Sequence, residues 1–363
     1  MKKLIAVIIV VTLFTVGAFA AEADPVGDIA SAVPDDVSGL LDGALDDGGI
    51  TQSEIGFGFF FNMIVRALAA AVPSATKNLA LMAGLLIISS VLGALRGTVY
   101  SKPLGDAVGF ISTLCVCAAA FSMTSAVFSV AEKFIDSVGA FLTAFLPAMT
   151  ALGAAGGNVT FSAASAAVIS AAVTVLGGVC ASFAFPLLKV CFCVSVSSAI
   201  CGSVNLEGVS SAIKKLITYV LTVSGLILAA VMTFQTIITK SADTAALKSV
   251  KFTVGTLIPL VGQALGDAMA SISGSVGVLR AAVGVSGAVI LCAMVILPTV
   301  GLLINKLFLD LSCGVAELLG LKKERDFLSQ MSGVVGFLAS ITAFIGAFFI
   351  IAVSLIAATE VNV

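Results

Sequence analysis

The chain has 363 residues, of which 60% are hydrophobic and only 10% charged, and its 18 basic and 20 acidic side chains nearly cancel. A water-soluble domain carries about a quarter of its residues as charges. The mean hydropathy of +1.20 excludes that class. Apolar blocks recur at about the 20-residue length that crosses a bilayer. The sequence therefore predicts an all-α, polytopic helical membrane protein.

The N-terminus has the three parts of a secretory signal peptide over residues 1–20. Lys2 and Lys3 precede an apolar run, and small residues end at Ala20, the predicted cleavage site. A cut after Ala23 and an uncleaved anchor are the alternatives. In either case the following residues are expected outside the cytoplasm.

Residues 21–55 form a predicted acidic extracytoplasmic stalk. Nine acids and no base lie between Glu22 and Glu54. Such a run is typical of a solvated linker. Apolar residues at helical spacing between Ile29 and Leu45 leave open a partner-binding helix instead.

The membrane body contains six clear apolar segments and several ambiguous ones. A segment at 56–72 is interrupted by Asn62 and Arg66, which favours an interfacial or tilted helix. Arg96 and Lys102 place the loop between the first two spans in the cytoplasm. Six to nine crossings are compatible with the pattern. The clear spans are 79–95, 107–130, 160–185, 215–239, 284–305 and 331–358; the ambiguous segments are 134–158, 186–206 and 247–279.

Two stretches of the chain match each other at an offset of 112 residues. Both read C-A-x4-P-x14-C-G-x3-L-x-G, starting at Cys180 and at Cys292, with seven identities in 29 ungapped positions. This indicates an internal duplication of the kind seen in transporters, with biased composition as the alternative. The predicted units are N-terminal membrane helices at 56–130, repeat 1 at 131–242 and repeat 2 at 243–363. Their predicted hinges are Pro147, Pro186 and Pro298.

Residues 247–266 form a predicted amphipathic helix. One face is apolar, and the other is basic and then rich in small residues, with a proline that would kink it. The functional interpretation is a re-entrant or interfacial element at a pathway or assembly surface. The alternative is an ordinary packed helix whose lysines reach the headgroups. The polar and small face consists of Lys248, Lys251, Gly255, Pro259, Gly262 and Gly266.

Three charges within or near the spans are further candidates for a pathway or for pairing between helices. They are Lys189, Arg280 and Asp310. A charge inside the bilayer costs on the order of 3 kcal/mol unless it is compensated. For Lys189, which follows Pro186 closely, a position at a headgroup boundary is favoured.

The sequence contains no recognisable pattern of a metal site or a catalytic site. The chain has no His, which removes the commonest metal ligand and general base. No G-x-S-x-G or P-loop pattern is present, and the bases are scattered rather than clustered for nucleic acid. We expect no enzymatic activity, no cofactor, no metal and no nucleic-acid partner. The cysteines are expected to be small buried hydrophobes: Cys115, Cys117, Cys180, Cys191, Cys193, Cys201, Cys292 and Cys313.

The block at 234–284 resembles the stage III sporulation protein AE family of endospore-forming bacteria. The resemblance rests on the motif K-S-A-D-x3-L-K-x2-K-F-x-V-G-x-L-I-P-x-V-G, which runs from Lys240 to Gly262. The resemblance implies a place in the mother-cell membrane around the forespore. It also implies a multiprotein, channel-like complex across two membranes that supports forespore development. The implied partners are membrane lipid, other sporulation membrane proteins, a separate ATPase and further copies of the chain.

Three functions therefore compete. The first is a subunit of that transenvelope complex. The second is a self-sufficient solute permease with a site between the two repeats. The third is a structural anchor that recruits other subunits and conducts nothing.

Overall fold

The computed structural model describes residues 45–46, 49–50, 57–95, 102–201, 207–257 and 262–358, with the side chains of 250–270 and of a few other helical positions excluded. Within these ranges the chain is almost entirely helical, which confirms the predicted all-α class. Two short strands, β1 (Leu45–Asp46) and β2 (Gly49–Ile50), pair in antiparallel fashion. The helices are α1 (Phe57–Leu95), α2 (Lys102–Ala155), α3 (Val159–Val179), α4 (Phe185–Cys201), α5 (Glu207–Leu257), α6 (Gly262–Leu318) and α7 (Lys322–Ala357), and a π-helical turn (Cys180–Ala184) joins α3 to α4.

Six helical segments of the described chain are long and apolar enough to cross a membrane. They confirm a multi-pass membrane protein. The helices exceed the bilayer: α2, with 54 residues, is about 80 Å long at ~1.5 Å per residue. Apolar segments that the sequence analysis treats as separate are therefore parts of single long helices. The segment at 56–72 continues through Pro73 into the span at 79–95 within α1, and 134–158 continues from 107–130 within α2.

Helix α7 lies at the centre of the bundle. Its side chains are buried along nearly the whole helix, including Phe327, Leu338 and Ile350. Because α7 is apolar on all sides, it needs helices around it rather than on one face. Glycines allow close contact there, since a Cβ at Gly346 would overlap Val295 of α6.

Two tight turns set the directions of the helices. Gly157 and Gly320 adopt φ of 86° and 74°. Backbone N–H groups after each helix bond back five residues, from Asn158 to Gly153 at 2.8 Å and from Leu321 to Ala316 at 2.9 Å. This is the Schellman geometry, in which a left-handed glycine satisfies the last carbonyls of a helix. We call the two ends of the bundle the Gly157 end and the Gly320 end.

Charged side chains are concentrated near two levels of the bundle, one toward each end. Lys306 follows Arg280 by 26 residues in α6, about 39 Å at ~1.5 Å per residue. No charge lies between them, and the same holds for residues 216–239 of α5. This spacing matches a bilayer whose apolar core is about 30 Å thick. We name the levels the Gly157 rim (Lys240, Asp243 and Arg280) and the Gly320 rim (Glu132, Lys189, Lys214, Lys306 and Asp310).

The outer face of α5 between the rims is apolar and exposed. Tyr219, Leu226, Phe234 and Ile238 are all at least 65% exposed. Their spacings of seven, eight and four residues place them on one side of the helix. A helix with this face outward fits contact with lipid chains.

The duplication and the hinges remain predictions. The expected boundaries of the repeats, at 131 and 243, fall inside α2 and α5. Pro147 and Pro298 lie within continuous helices. Pro186 is the second residue after the π-helical turn, and the N–H of the intervening Phe185 bonds to the carbonyl of Cys180. A π-turn beside a proline is a recognised local adjustment of a helix.

The signal peptide, its cleavage site at Ala20 and the stalk, apart from β1 and β2, lie outside the described residues. These features therefore stay predictions.

The positive-inside rule predicts that the Gly320 end faces the cytoplasm, because most bases near helix ends lie there, including Lys322, Lys323 and Arg325. In a cysteine-free background we expect Leu318→Cys, at a position 89% exposed, to react with an impermeant maleimide only after the cells are permeabilised. Ala358→Cys, at the Gly157 end, is expected to react in intact non-sporulating cells that carry the chain in their plasma membrane. Labelling of both from the same side would overturn the six-span topology.

Candidate functional site

The most elaborate polar site of the described chain lies at the Gly157 rim, where α5 meets the start of α3. The carboxylate of Asp243 accepts hydrogen bonds from two backbone N–H groups, those of Thr160 at 3.1 Å and Phe161 at 2.8 Å. The first N–H groups of a helix have no partner inside it. The N-cap residue of α3, Asn158, forms no side-chain capping bond. A carboxylate from another helix therefore takes the capping role.

Arg280 of α6 completes this site. It is 2% exposed, and its guanidinium carbon lies 5.2 Å from the centroid of the Phe161 ring. Asp243, which is 4% exposed, is close enough for its charge to interact with that of Arg280. Burying either charge alone would be costly, and the opposite charge compensates it. The arrangement ties α3, α5 and α6 together.

Glycine makes this approach possible. A Cβ at Gly153, near the end of α2, would overlap the side chain of Ser162 and lie 3.6 Å from the Arg280 guanidinium. Only a residue without a side chain allows α2 to end this close to α3. Further along the same helix pair, Gln235 donates a hydrogen bond to Ser165 at 2.9 Å. The N-terminus of α3 is thus held in one position.

The face proposed from the sequence lies just beyond this site along the chain. Lys248 is exposed on α5. Lys251 and Gly255 lie in α5, and Gly262 and Gly266 in α6, but their side chains are outside the described residues, as is all of Pro259. Their role as a pathway or assembly face stays a prediction.

Sequence reasoning placed Arg280 among the candidates but overlooked Asp243. The available signal was Asp243 itself, an acid in the K-S-A-D motif of a long apolar helix. Its role depends on contact with residues more than 80 positions earlier. No local pattern specifies that contact.

An open cavity of about 470 Å³ lies between α1, α2 and α6, toward the Gly320 rim. Its polar lining comes from Ser74, Asn78, Lys133, Ser137 and Asn305. Pro298 also lines it and lacks the N–H to which the carbonyl of Met294, another lining residue, would otherwise bond. Most of the lining is apolar, and these few polar groups at membrane depth can bind water, an ion or a polar solute.

The remaining charged candidates lie at the Gly320 rim. Asp310 accepts hydrogen bonds from Lys306 and from Ser332 of α7. Lys189 pairs with Glu132 of α2 at 2.8 Å. Lys214 lies close to Gly333, where the absence of a side chain leaves room for the ammonium group.

The cysteines fall into two groups. Cys117, Cys180, Cys191 and Cys292 are buried, as predicted. Cys115 and Cys193 are exposed and Cys313 is intermediate, so the prediction of burial is wrong for these three. Cys115 and Cys193 lie on outer helix faces, and the thiol of Cys313 contacts the carbonyl of Arg325 at 3.5 Å. The side chain of Cys201 is outside the described residues.

Comparison with known proteins gives a single kind of match. No curated protein and no solved structure is matched. The family model of stage III sporulation protein AE matches residues 44–360, which include all seven helices and the site formed by Asp243 and Arg280. The chain belongs to the stage III sporulation protein AE family.

Proposed function

We propose that the chain is a multi-pass membrane subunit of a channel-like complex that links the mother cell and the forespore and is needed for forespore development. The observation that carries the proposal is the family match over residues 44–360. Its place is the mother-cell membrane around the forespore. No catalytic step is assigned to it.

The exposed apolar side chains of the bundle support a subunit of a complex rather than an isolated protein. Beyond the Gly320 rim, α1 and α2 carry exposed apolar side chains such as Leu81, Ile88, Phe110 and Ile111. These side chains belong to segments long and apolar enough to cross a membrane, where an exposed apolar side chain contacts lipid or another membrane protein. The partners are other sporulation membrane proteins, further copies of the chain and a separate ATPase, since the chain has no P-loop of its own.

The test is purification of the tagged full-length chain from sporulating cells in mild detergent, followed by mass spectrometry. We expect other sporulation membrane proteins and an ATPase at stable ratios. A variant with Gly255→Leu and Gly262→Leu, on the predicted assembly face, is expected to lose them. The matched control is Gly277→Leu, at a described position where a Cβ meets no atom within 4 Å. Recovery of the chain alone would contradict the proposal.

The cavity between α1, α2 and α6 favours a second candidate, a self-sufficient permease. It joins residues of both predicted repeats, Lys133 from the first and Asn305 from the second. If the chain is a permease, the purified protein alone should carry solute into liposomes, and Lys133→Gln should change the selectivity. A subunit of a complex should be inactive in that assay.

A further inference from the structure

A second pocket, separate from the sites above, lies between α2 and α4 at the Gly320 rim. Its volume is about 280 Å³. Lys189 and Glu132 meet in it at 2.8 Å, and their side chains remain 56% and 43% exposed. The ammonium group of Lys189 also lies 5.7 Å from the centroid of the Phe128 ring. The pocket thus presents one positive and one negative group to its surroundings, and the buried Phe128 ring, 5% exposed, forms part of its wall.

The pocket opens where lipid headgroups are expected. Lys189 follows Phe161, at the Gly157 rim, by 28 residues, about 42 Å at ~1.5 Å per residue. Near it, the thiol of Cys191 contacts the carbonyl of Ser210, close to the start of α5. Phe121, which is 57% exposed, packs against Phe192 with ring centroids 5.3 Å apart and forms an apolar edge. An aromatic edge beside paired charges is typical of the membrane interface.

The ion pair contributes little to folding. Exposed pairs stabilise proteins by about 0–1 kcal/mol, because water solvates the separated charges almost as well. Two adjacent hydroxyl groups, those of Ser125 and Ser129, lie one helical turn apart on the lining of the same pocket. These groups are therefore available to a polar ligand at little cost to the stability of the fold.

We propose that this pocket binds the headgroup of a zwitterionic aminophospholipid. The phosphate accepts hydrogen bonds from Lys189 and from the hydroxyls of Ser125 and Ser129. The primary ammonium group donates hydrogen bonds to the Glu132 carboxylate. A purely anionic headgroup would meet the Glu132 carboxylate without a partner, so the pocket discriminates between the two lipid classes.

The experiment uses the purified full-length chain in detergent, with native mass spectrometry to count lipid retained from equimolar phosphatidylethanolamine and phosphatidylglycerol. We expect phosphatidylethanolamine to be preferred. Glu132→Gln should reduce that preference about tenfold, the equivalent of one charge-assisted hydrogen bond. Lys189→Gln should weaken the retention of both lipids.

Matched controls are Lys215→Gln on α5 and Asp136→Asn on α2, which change exposed charges that do not line this pocket. Neither should alter lipid retention, and the thermal stability of each variant reports its folding. Soluble phosphoethanolamine is a third arm: competition by it would show that the headgroup alone is recognised, whereas retention of the lipid despite it would show that the acyl chains contribute. Equal retention of the two lipids, or an unchanged preference in Glu132→Gln, would overturn the proposal.

Discussion

Replacing Asp243 with alanine is expected to lower the free energy of unfolding by on the order of 3 kcal/mol. Two N–H groups at the start of α3 would lose their acceptor. The buried Arg280 charge would also lose the carboxylate that compensates it. The measurement is equilibrium unfolding of the purified chain in mixed detergent micelles.

Asp243→Asn separates these two contributions, because it keeps a side-chain oxygen as an acceptor but removes the charge. We expect a smaller loss than for alanine. The double variant Asp243→Asn with Arg280→Gln should recover part of the stability lost in Asp243→Asn, since no buried charge then remains uncompensated.

The matched control is Asp136→Asn, the same chemical change at an exposed carboxylate of α2. It should alter stability by less than about 0.5 kcal/mol. If Asp243→Ala were no more destabilising than this control, the site at the Gly157 rim would not hold α3, α5 and α6 together.

The second large effect is expected at Gly346 of the central helix α7. A Cβ there would overlap both methyl groups of Val295, so Gly346→Ala must push α6 and α7 apart. Overpacking of this kind costs about 1–3 kcal/mol. The same unfolding assay measures it, and Val295→Ala in the same chain should restore much of the loss by clearing the space.

Gly314→Ala in α6 serves as the control for this prediction. Its Cβ would meet no atom within 4 Å, so only helix propensity changes, which favours alanine by about 1 kcal/mol. Equal stability of Gly346→Ala and Gly314→Ala would show that the contact between α6 and α7 is not as close as described.

The predicted spans show which features of the helices hydropathy can locate. It located the apolar segments, but it divided α1 at Pro73 and α2 near Glu132, Lys133 and Asp136. Helices longer than the bilayer pass through such polar interruptions, because the charged side chains can reach the headgroup layer while the backbone remains helical. Hydropathy and charge therefore divided two continuous helices into four separate segments.

The contacts of the candidate site, in contrast, could not be predicted from the sequence. Arg280 stood out as a base in a long apolar region, whereas Asp243 drew notice only as part of a motif. The partners of Asp243 are backbone N–H groups, which every residue but proline carries, so no residue type marks them in advance.

The amino-acid sequence by itself determined that this is a helical membrane protein of the stage III sporulation protein AE family, with charges that bracket a bilayer-sized apolar body. The membrane class and the charge pattern are local sums of hydropathy and charge, whereas the family is identified by the resemblance of the motif from Lys240 to Gly262; none of these depends on which helices meet. Only the tertiary structure decided that α7 is central, that Asp243 caps α3 beside Arg280, and that Lys189 meets Glu132 in an open pocket. Each of these depends on close packing between helices that are distant in the chain, where a missing side chain or a single turn sets the contact.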